Sequence, residues 1–252
     1  MVFQYEIIKY RALAELRAEV RRGYLGMSWW VLEPLLYMVV FYTLFSVGLR
    51  RGGPDFVPFL LTGLVAWKWF ATSVNRGSGV LLANANLIKG VDLPKYVFPA
   101  VSLVVNTFKF SIVFLMLIGF LIWYGIPVTS TWLAVFIIIF AQLIFSAAVS
   151  FWVAALVPIV PDLRLVIENC LMLLFFVSGV FFDMSKVEPR VQTLLLLNPM
   201  AMLIDSYRGV LLRGTWPNIG YLAGVTAFSC LLLYAGCRFL CWYGHEYPKI
   251  IR

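Results

Sequence analysis

Long apolar runs alternate with short charged loops along the whole chain, and within each run the apolar positions are continuous, without a period of two. A backbone in hydrocarbon must satisfy its own polar groups, as helices or as a closed barrel. Barrel strands alternate between lipid and lumen, so unbroken runs predict helices. A crossing of about 30 Å takes roughly 20 residues at about 1.5 Å each. Residues 29–49, 56–74, 99–123, 131–157, 165–181 and 221–243 come close to or exceed that length. The expected fold class is an all-α integral membrane protein with six transmembrane helices.

Four segments lie outside these runs. In residues 1–28, Arg11, Glu15, Glu19 and Arg22 form a polar strip at helical spacing. Beside it, Phe3, Ile7, Tyr10 and Ala14 form an apolar strip, continued by Leu13, Leu16 and Val20. That pattern predicts an amphipathic helix lying in the membrane interface, with Gly23 and Gly26 bending the chain into the first span. Residues 75–98 form the longest inner loop: a helix-compatible stretch, residues 81–89, is bounded by Gly90 and Pro94. Residues 182–217 hold an apolar portion too short to cross, so an outer re-entrant helical segment is expected there. Residues 244–252 read as a tail. The predicted organisation is thus 1–28 as interface helix, 29–243 as membrane domain and 244–252 as tail. In the last span, Gly220 and Gly224 form a small-xxx-small packing signal.

Composition agrees with this picture. The 252 residues are 62% hydrophobic and 13% charged, and the mean hydropathy is +0.91, far from a soluble domain with about a quarter of its residues charged. Lys and Arg orient the chain. With the amino terminus inside, twelve fall in inner segments, among them Lys9, Arg17, Arg21, Arg76, Lys89, Lys95 and Arg164. Six fall outside: Arg50, Arg51, Lys186, Arg190, Arg208 and Arg213. The rule that positive charge stays inside then predicts cytoplasmic termini. It also ascribes the net charge of +8 to topology and anionic inner-leaflet lipid, with no need for nucleic acid. The charged first 25 residues argue against a cleaved signal peptide, so the first span is expected to serve as its own insertion signal.

The chemistry absent from the sequence is informative. It contains no phosphate-binding GxxxxGK[ST], HExxH, GxSxG or CxxC. Any ATP and Mg would bind a different subunit; no cofactor, metal site or catalytic residue is expected in this chain. Cys170, Cys230, Cys237 and Cys241 sit in or beside apolar spans, as small apolar fillers do, and His245 is the one histidine. Charge within spans is costly and therefore a functional suspect. Lys68, between Trp67 and Trp69, either faces a hydrated path or pairs with a carboxylate, and Lys109 either snorkels or serves function. Glu33 and Glu168 read as structural partners of Arg or of backbone groups. Aromatic residues crowd the first two spans at Trp29, Trp30, Tyr37, Phe41, Tyr42, Trp67 and Trp69. Such rings suit the C–H face of a sugar, and the outer ones also suit a membrane belt.

The stretch from Tyr24 to Pro34, YLGMSWWVLEP, resembles the LGxxWxxLxP signature that opens the first span of bacterial polysaccharide ABC-transporter permeases, the ABC-2 type membrane subunits of O-antigen, capsule and teichoic-acid exporters. Gly63 to Phe70 (GLVAWKWF), Lys95 to Pro99 (KYVFP), Asp162, and Leu197 to Met200 (LNPM) follow in matching order. Pro161-Asp162-Leu163-Arg164 departs from the Arg-Asp pair more usual there. The resemblance covers essentially the whole chain. It implies a homodimer in the bacterial inner membrane, docked to two copies of a cytoplasmic ATP-binding subunit and carrying a glycan on undecaprenyl diphosphate or a similar lipid. Residues 84–95 would be the coupling helix, with Asn84, Asn86, Lys89, Asp92 and Lys95 meeting the ATPase. The conduit would run along the dimer interface, lined by Trp29, Trp30, Tyr37, Phe41, Tyr42, Trp67, Lys68 and Trp69. Arg21 and Arg22 would meet the lipid diphosphate or, equally, anionic phospholipid. Asn198 and Pro199 would help gate the exit.

Three other readings stand beside this one. An ABC-2 permease for a drug or small lipid would share the architecture. A membrane enzyme acting on isoprenoid-linked sugars would need clustered acids to hold a metal and diphosphate, whereas the twelve acids here are scattered. A plain membrane anchor would leave the intramembrane lysines without purpose.

Overall fold

The computed structural model describes residues 2–22, 28–29, 32, 35–36, 39–40, 43, 55–91, 93–183, 187–188, 195 and 197–250. Most of the expected first span lies outside these residues. Helix α1 is Val2–Arg22, α2 Phe56–Ala83, α3 Ala85–Gly90, α4 Val97–Trp123, α5 Val135–Leu156, α6 Leu163–Val177, α7 Pro199–Leu211, α8 Ile219–Trp242 and α9 Tyr247–Ile250. No strand occurs among the described residues. Among the described residues, four stretches are long and apolar enough to cross a membrane: Phe56–Ala83, Val97–Trp123, Ser130–Leu156 and Ile219–His245. Helix α6, with 15 residues, rises only about 22 Å. It ends in the turn Ser178, Gly179 and Val180, whose Gly179 takes φ +72°.

Helix α2 is the centre of the bundle, packed on α4, α5, α6 and α7. Its aromatic rings make the contacts. Trp69 stacks on Phe110 of α4 with ring centroids 3.9 Å apart, and Phe70 stacks on Phe145 of α5 at 5.3 Å. Trp67 packs against Phe175 of α6. The expected loop 75–98 begins as helix, because α2 runs on past Val74 to Ala83. Neither Gly77 nor Gly79 breaks it. At Gly77 a Cβ would lie 3.0 Å from the Ser150 carbonyl oxygen and 3.1 Å from its Cβ, so the bare backbone lets α2 and α5 approach closely. The helix stops at Asn84, whose side-chain amide donates to the Val80 carbonyl at 2.8 Å.

Helices α5 and α8 pair closely. Trp152 Nε1 donates to the Leu232 carbonyl at 2.8 Å, and its indole ring lies 3.3 Å from where a Gly236 Cβ would be. The packing glycine of this span is Gly236. Among the described residues, Gly224 has open space around it and Gly220 meets only Asn218; the packing of α5 falls on the other half of the helix.

Helix α1 docks on α4. Ala12 is buried, and Ile7, Ile8 and Leu16 pack with it on Val97, Val101 and Val105. Tyr10 is 68% exposed and Leu13 and Val20 are also exposed, while the strip Arg11, Glu15 and Glu19 turns toward the bundle. The physical reason is charge: that strip finds partners on α2 and α4.

Gly77→Leu should lower the unfolding free energy by about 1–3 kcal/mol through overpacking, whereas Gly224→Leu, at a helical glycine with nothing within 4 Å, should raise it by up to about 1 kcal/mol. Denaturation of the two variants in detergent measures both; equal losses would refute the close α2–α5 approach.

Candidate functional site

The bundle presents two built ends. At the α1 end, Glu19 pairs with both Arg76 of α2 and Lys109 of α4, and Arg76 also reaches Glu15 at 3.3 Å. Lys109, an open question in the sequence, extends from its span to meet α1. Burial acts to raise the Glu19 carboxyl, and hydrogen bonds and charge from Lys109 and Arg76 outweigh it, holding the group below the usual carboxylate range. Arg11 Nη2 donates to Asn84 Oδ1 at 2.9 Å, and its guanidinium lies 5.0 Å from the centre of the Phe98 ring. Asn84 thus ties α1 to the point where α2 ends and α3 begins.

Helix α3 stands on that corner. Ile88 plugs into a cluster with Leu81, Phe98, Phe151, Ala155, Leu240 and Tyr247, leaving Asn86, Lys89, Gly90 and Val91 exposed. The segment expected to be a plain tail holds this seat. Tyr247 is fully buried and its hydroxyl donates to the Ala155 carbonyl at 3.0 Å. Sequence reasoning missed it, although Tyr247 is an apolar ring in an otherwise charged stretch. Lys95 is buried, its stem beside Gly244. Of the five residues assigned to coupling, Asn84 and Lys95 are therefore built into the corner. Asn86 and Lys89 are presented outward, and Asp92 lies outside the described residues. The α1 surface turned away from the bundle carries Lys9, Arg17 and Arg21 among Tyr10, Leu13 and Val20. The Arg22 side chain lies outside the described part.

At the α7 end, Asn198 caps α7 by accepting from the Met200 amide at 3.0 Å, and Pro199 occupies the first turn, where its missing N–H costs nothing. The Asn198 side-chain amide donates to Ser178 Oγ at 2.9 Å, and that hydroxyl donates to the Leu174 carbonyl at 2.6 Å. From the other end of α7 comes Arg208, 2% exposed. Its Nη1 donates to the Gly179 carbonyl at 2.6 Å, its Nη2 to the Val180 carbonyl at 2.7 Å and its Nε to the Phe59 carbonyl at 3.1 Å. The guanidinium carbon sits 3.4 Å from the centre of the Phe59 ring. Space for it exists because residue 63 is glycine: a Cβ there would lie 2.5 Å from Nη2. The sequence count placed Arg208 among outer loop charges. Its position inside the apolar stretch 199–212 was the signal that it is buried.

Between the ends, Trp67 and Trp69 are buried inside the protomer, while Lys68 is half-buried. Trp29 is half exposed. Trp30, Tyr37, Phe41 and Tyr42 lie outside the described residues, as does Glu33. Glu168 pairs with Arg164 one turn before it at 3.2 Å. Among the described residues, no three of His, Cys, Asp and Glu gather in a way that would hold a metal.

Comparison with known proteins adds the following. Residues 10–212 match the family model described as ABC-2 type transporter. The chain is 32% identical over 242 residues to "O-antigen export system permease protein RfbA" of Myxococcus xanthus, covering 91% of this chain and 92% of that one. A protein of the same name from Klebsiella pneumoniae is 27% identical over 216 residues, covering 84% and 83%. "Polysialic acid transport protein KpsM" of Escherichia coli is 24% identical over 239 residues, covering 88% and 90%.

Two outcomes follow from the ends. Because the folded Glu19 carboxyl is depressed, its stabilising contribution is complete above the ordinary carboxylate pKa and is lost as pH falls through the folded value. Acidification from about pH 6 to pH 3 should release α1, read as protease cleavage within residues 1–22, and Glu19→Gln should make cleavage pH-independent. Unchanged acid release in Glu19→Gln would count against the pairing. At the other end, Gly63→Ala should cost about 1–3 kcal/mol by displacing Arg208. Gly119→Ala, with nothing within 4 Å, should gain up to about 1 kcal/mol because alanine is the better helix former. Thermal unfolding in detergent reads the two opposite signs.

Proposed function

The chain belongs to the ABC-2 type transporter family, and we propose that it is the membrane subunit of an ATP-driven exporter that carries a lipid-linked polysaccharide across the bacterial inner membrane. The observation that supports this reading most is the end-to-end similarity to proteins named for O-antigen export and polysialic acid transport. Hydrolysis of ATP belongs to a separate ATP-binding protein.

In this reading two copies of the six-span chain pair, and two ATP-binding subunits press on the α1 end from the cytoplasm. The exposed tip of α3, Asn86 and Lys89 with Asp92 beyond, is the contact that receives their movement. Its seat on Ile88 and its tie through Asn84 make the tip rigid with respect to α2. The exposed face of α1 meets the inner leaflet, where Arg21 and Arg22 attract the diphosphate of the lipid carrier. The face available to a second copy includes Leu165, Met172, Leu173 and Phe176 of α6, all exposed and apolar. The glycan passes along the seam between copies, past Trp29, Trp30, Tyr37, Phe41, Tyr42 and Lys68. Trp67 and Trp69 back that wall from within the protomer, and the α7 end, with Asn198 and Pro199, forms the exit.

The test is copurification with a cytoplasmic ATP-binding subunit, joined to a surface-glycan assay. Lys89→Glu combined with Asp92→Lys should abolish surface glycan and capture of the ATPase while leaving membrane insertion intact. Full export by that variant would remove the coupling assignment, and failure of the unaltered chain to capture an ATP-binding subunit would remove the whole reading.

A further inference from the structure

We propose that α2, α4 and α5 enclose a binding site for a small cluster of ordered water molecules, held by Trp69, Ser73, Ser102, Asn106, Ser146 and Ser150. The inference goes beyond the export reading and stands independently of it.

The register of three mutually packed helices brings these residues to one place. Helices α2 and α4 run antiparallel: Trp69 stacks on Phe110, and Leu81 shares a cluster with Phe98. Residues four apart lie on one helix face, so between those contacts Ser73 comes level with Asn106 and Gly77 with Ser102. Helix α5 runs parallel to α2: Gln142 Nε2 donates to the Ala66 carbonyl at 2.7 Å, and Ser150 lies against Gly77. Ser146, one turn from each of those contacts, falls at the height of Trp69 and Ser73. All six residues are buried, Asn106 to 3% exposure. The stacked rings of Trp69 and Phe110 close one end of the layer, and the cluster of Leu81, Phe98 and Phe151 closes the other.

Hydrogen bonding sets this layer apart. Among the described residues, Trp69 Nε1, both side-chain polar atoms of Asn106 and the hydroxyls of Ser73, Ser102, Ser146 and Ser150 meet no protein partner. A serine within a helix commonly turns back to the carbonyl one turn earlier, as Ser111 and Ser206 do at 2.9 and 2.8 Å. These four do not. The bilayer core offers polar groups nothing to bond, and leaving all of these donors and acceptors bare would cost more than the usual net stability of a domain. The groups are uncharged and of mixed character: the indole N–H donates, while the hydroxyls and the amide both donate and accept. Water matches that set, because a buried water molecule typically takes about three such bonds.

The experiment uses the full chain in lipid nanodiscs, and the probe is water itself. Millisecond X-ray pulses split bound water into hydroxyl radicals, which oxidise the side chains touching it, and mass spectrometry reads the product at each residue. Trp69 should be oxidised despite its burial, and several-fold less in a chain carrying Ser73→Ala and Asn106→Leu. Trp67, buried against Phe175, should keep one rate in both chains. Thermal unfolding gives the second reading. If water satisfies Asn106, then Asn106→Leu strips its anchor and lowers the Tm by several degrees. If the polar groups are bare, removing one raises the Tm. Ser73→Ala alone serves both measurements should Asn106→Leu not accumulate in the membrane. Trp69 resistant to oxidation in the unaltered chain, or a Tm raised by the substitution, would overturn the water site and leave the export reading untouched.

Discussion

A charge removed from water must be met by the protein, since leaving it bare in a low-dielectric interior costs several kcal/mol. Two such charges organise this molecule. At one end a single carboxylate, Glu19, answers two cations from different helices. At the other a single guanidinium, Arg208, answers three carbonyls from two segments. Remove either centre and the groups around it are stranded, so each fixes its neighbourhood far more firmly than an exposed ion pair, typically worth less than about 1 kcal/mol.

Both centres act on the same helix. Arg208 grips α2 at Phe59, and Glu19 through Arg76, with Arg11 through Asn84, grips it at the far end. Between these points α2 is wedged by stacked rings against α4 and α5, and close-packed interiors transmit displacement instead of absorbing it. A push on α3 is therefore a push on a 28-residue rod, about 42 Å long, whose other tip lies under the Arg208 clamp. The architecture provides a mechanical path from the α3 corner to the α7 end.

Much of this was legible in the sequence. Periodicity and length placed α4, α5 and α8, and Gly90 marked the end of α3, while its start after Asn84, inside the stretch 81–89, was not foreseen. Asn198 and Pro199, singled out for the exit, also start α7 as its cap and first residue, a local property of the chain. What escaped detection depends on distant residues. The partners of the α1 polar strip escaped because they are distant: Glu19 is answered by Arg76 and Lys109, 57 and 90 positions away. Hydrophobic periodicity assumes that polar means solvent-facing. Arg208 was counted as a loop charge for the same reason. Gly236 and not Gly220 or Gly224 became the packing glycine because Trp152, on another helix, decided where contact falls. Of the first-span aromatics Trp29 is described and half exposed; Trp30, Tyr37, Phe41 and Tyr42 lie outside the described residues, so their part in the site rests on the sequence and the family.

The seating of α3 on Tyr247 carries a consequence for biosynthesis. The ribosome makes the knob at residues 85–90 early and the tyrosine that anchors it roughly 160 codons later. Until that final stretch emerges, Ile88 has an incomplete pocket and the partner-facing corner is unformed. In the proposed export reading, prematurely terminated chains would insert in the bilayer yet lack the corner at which an ATP-binding partner docks.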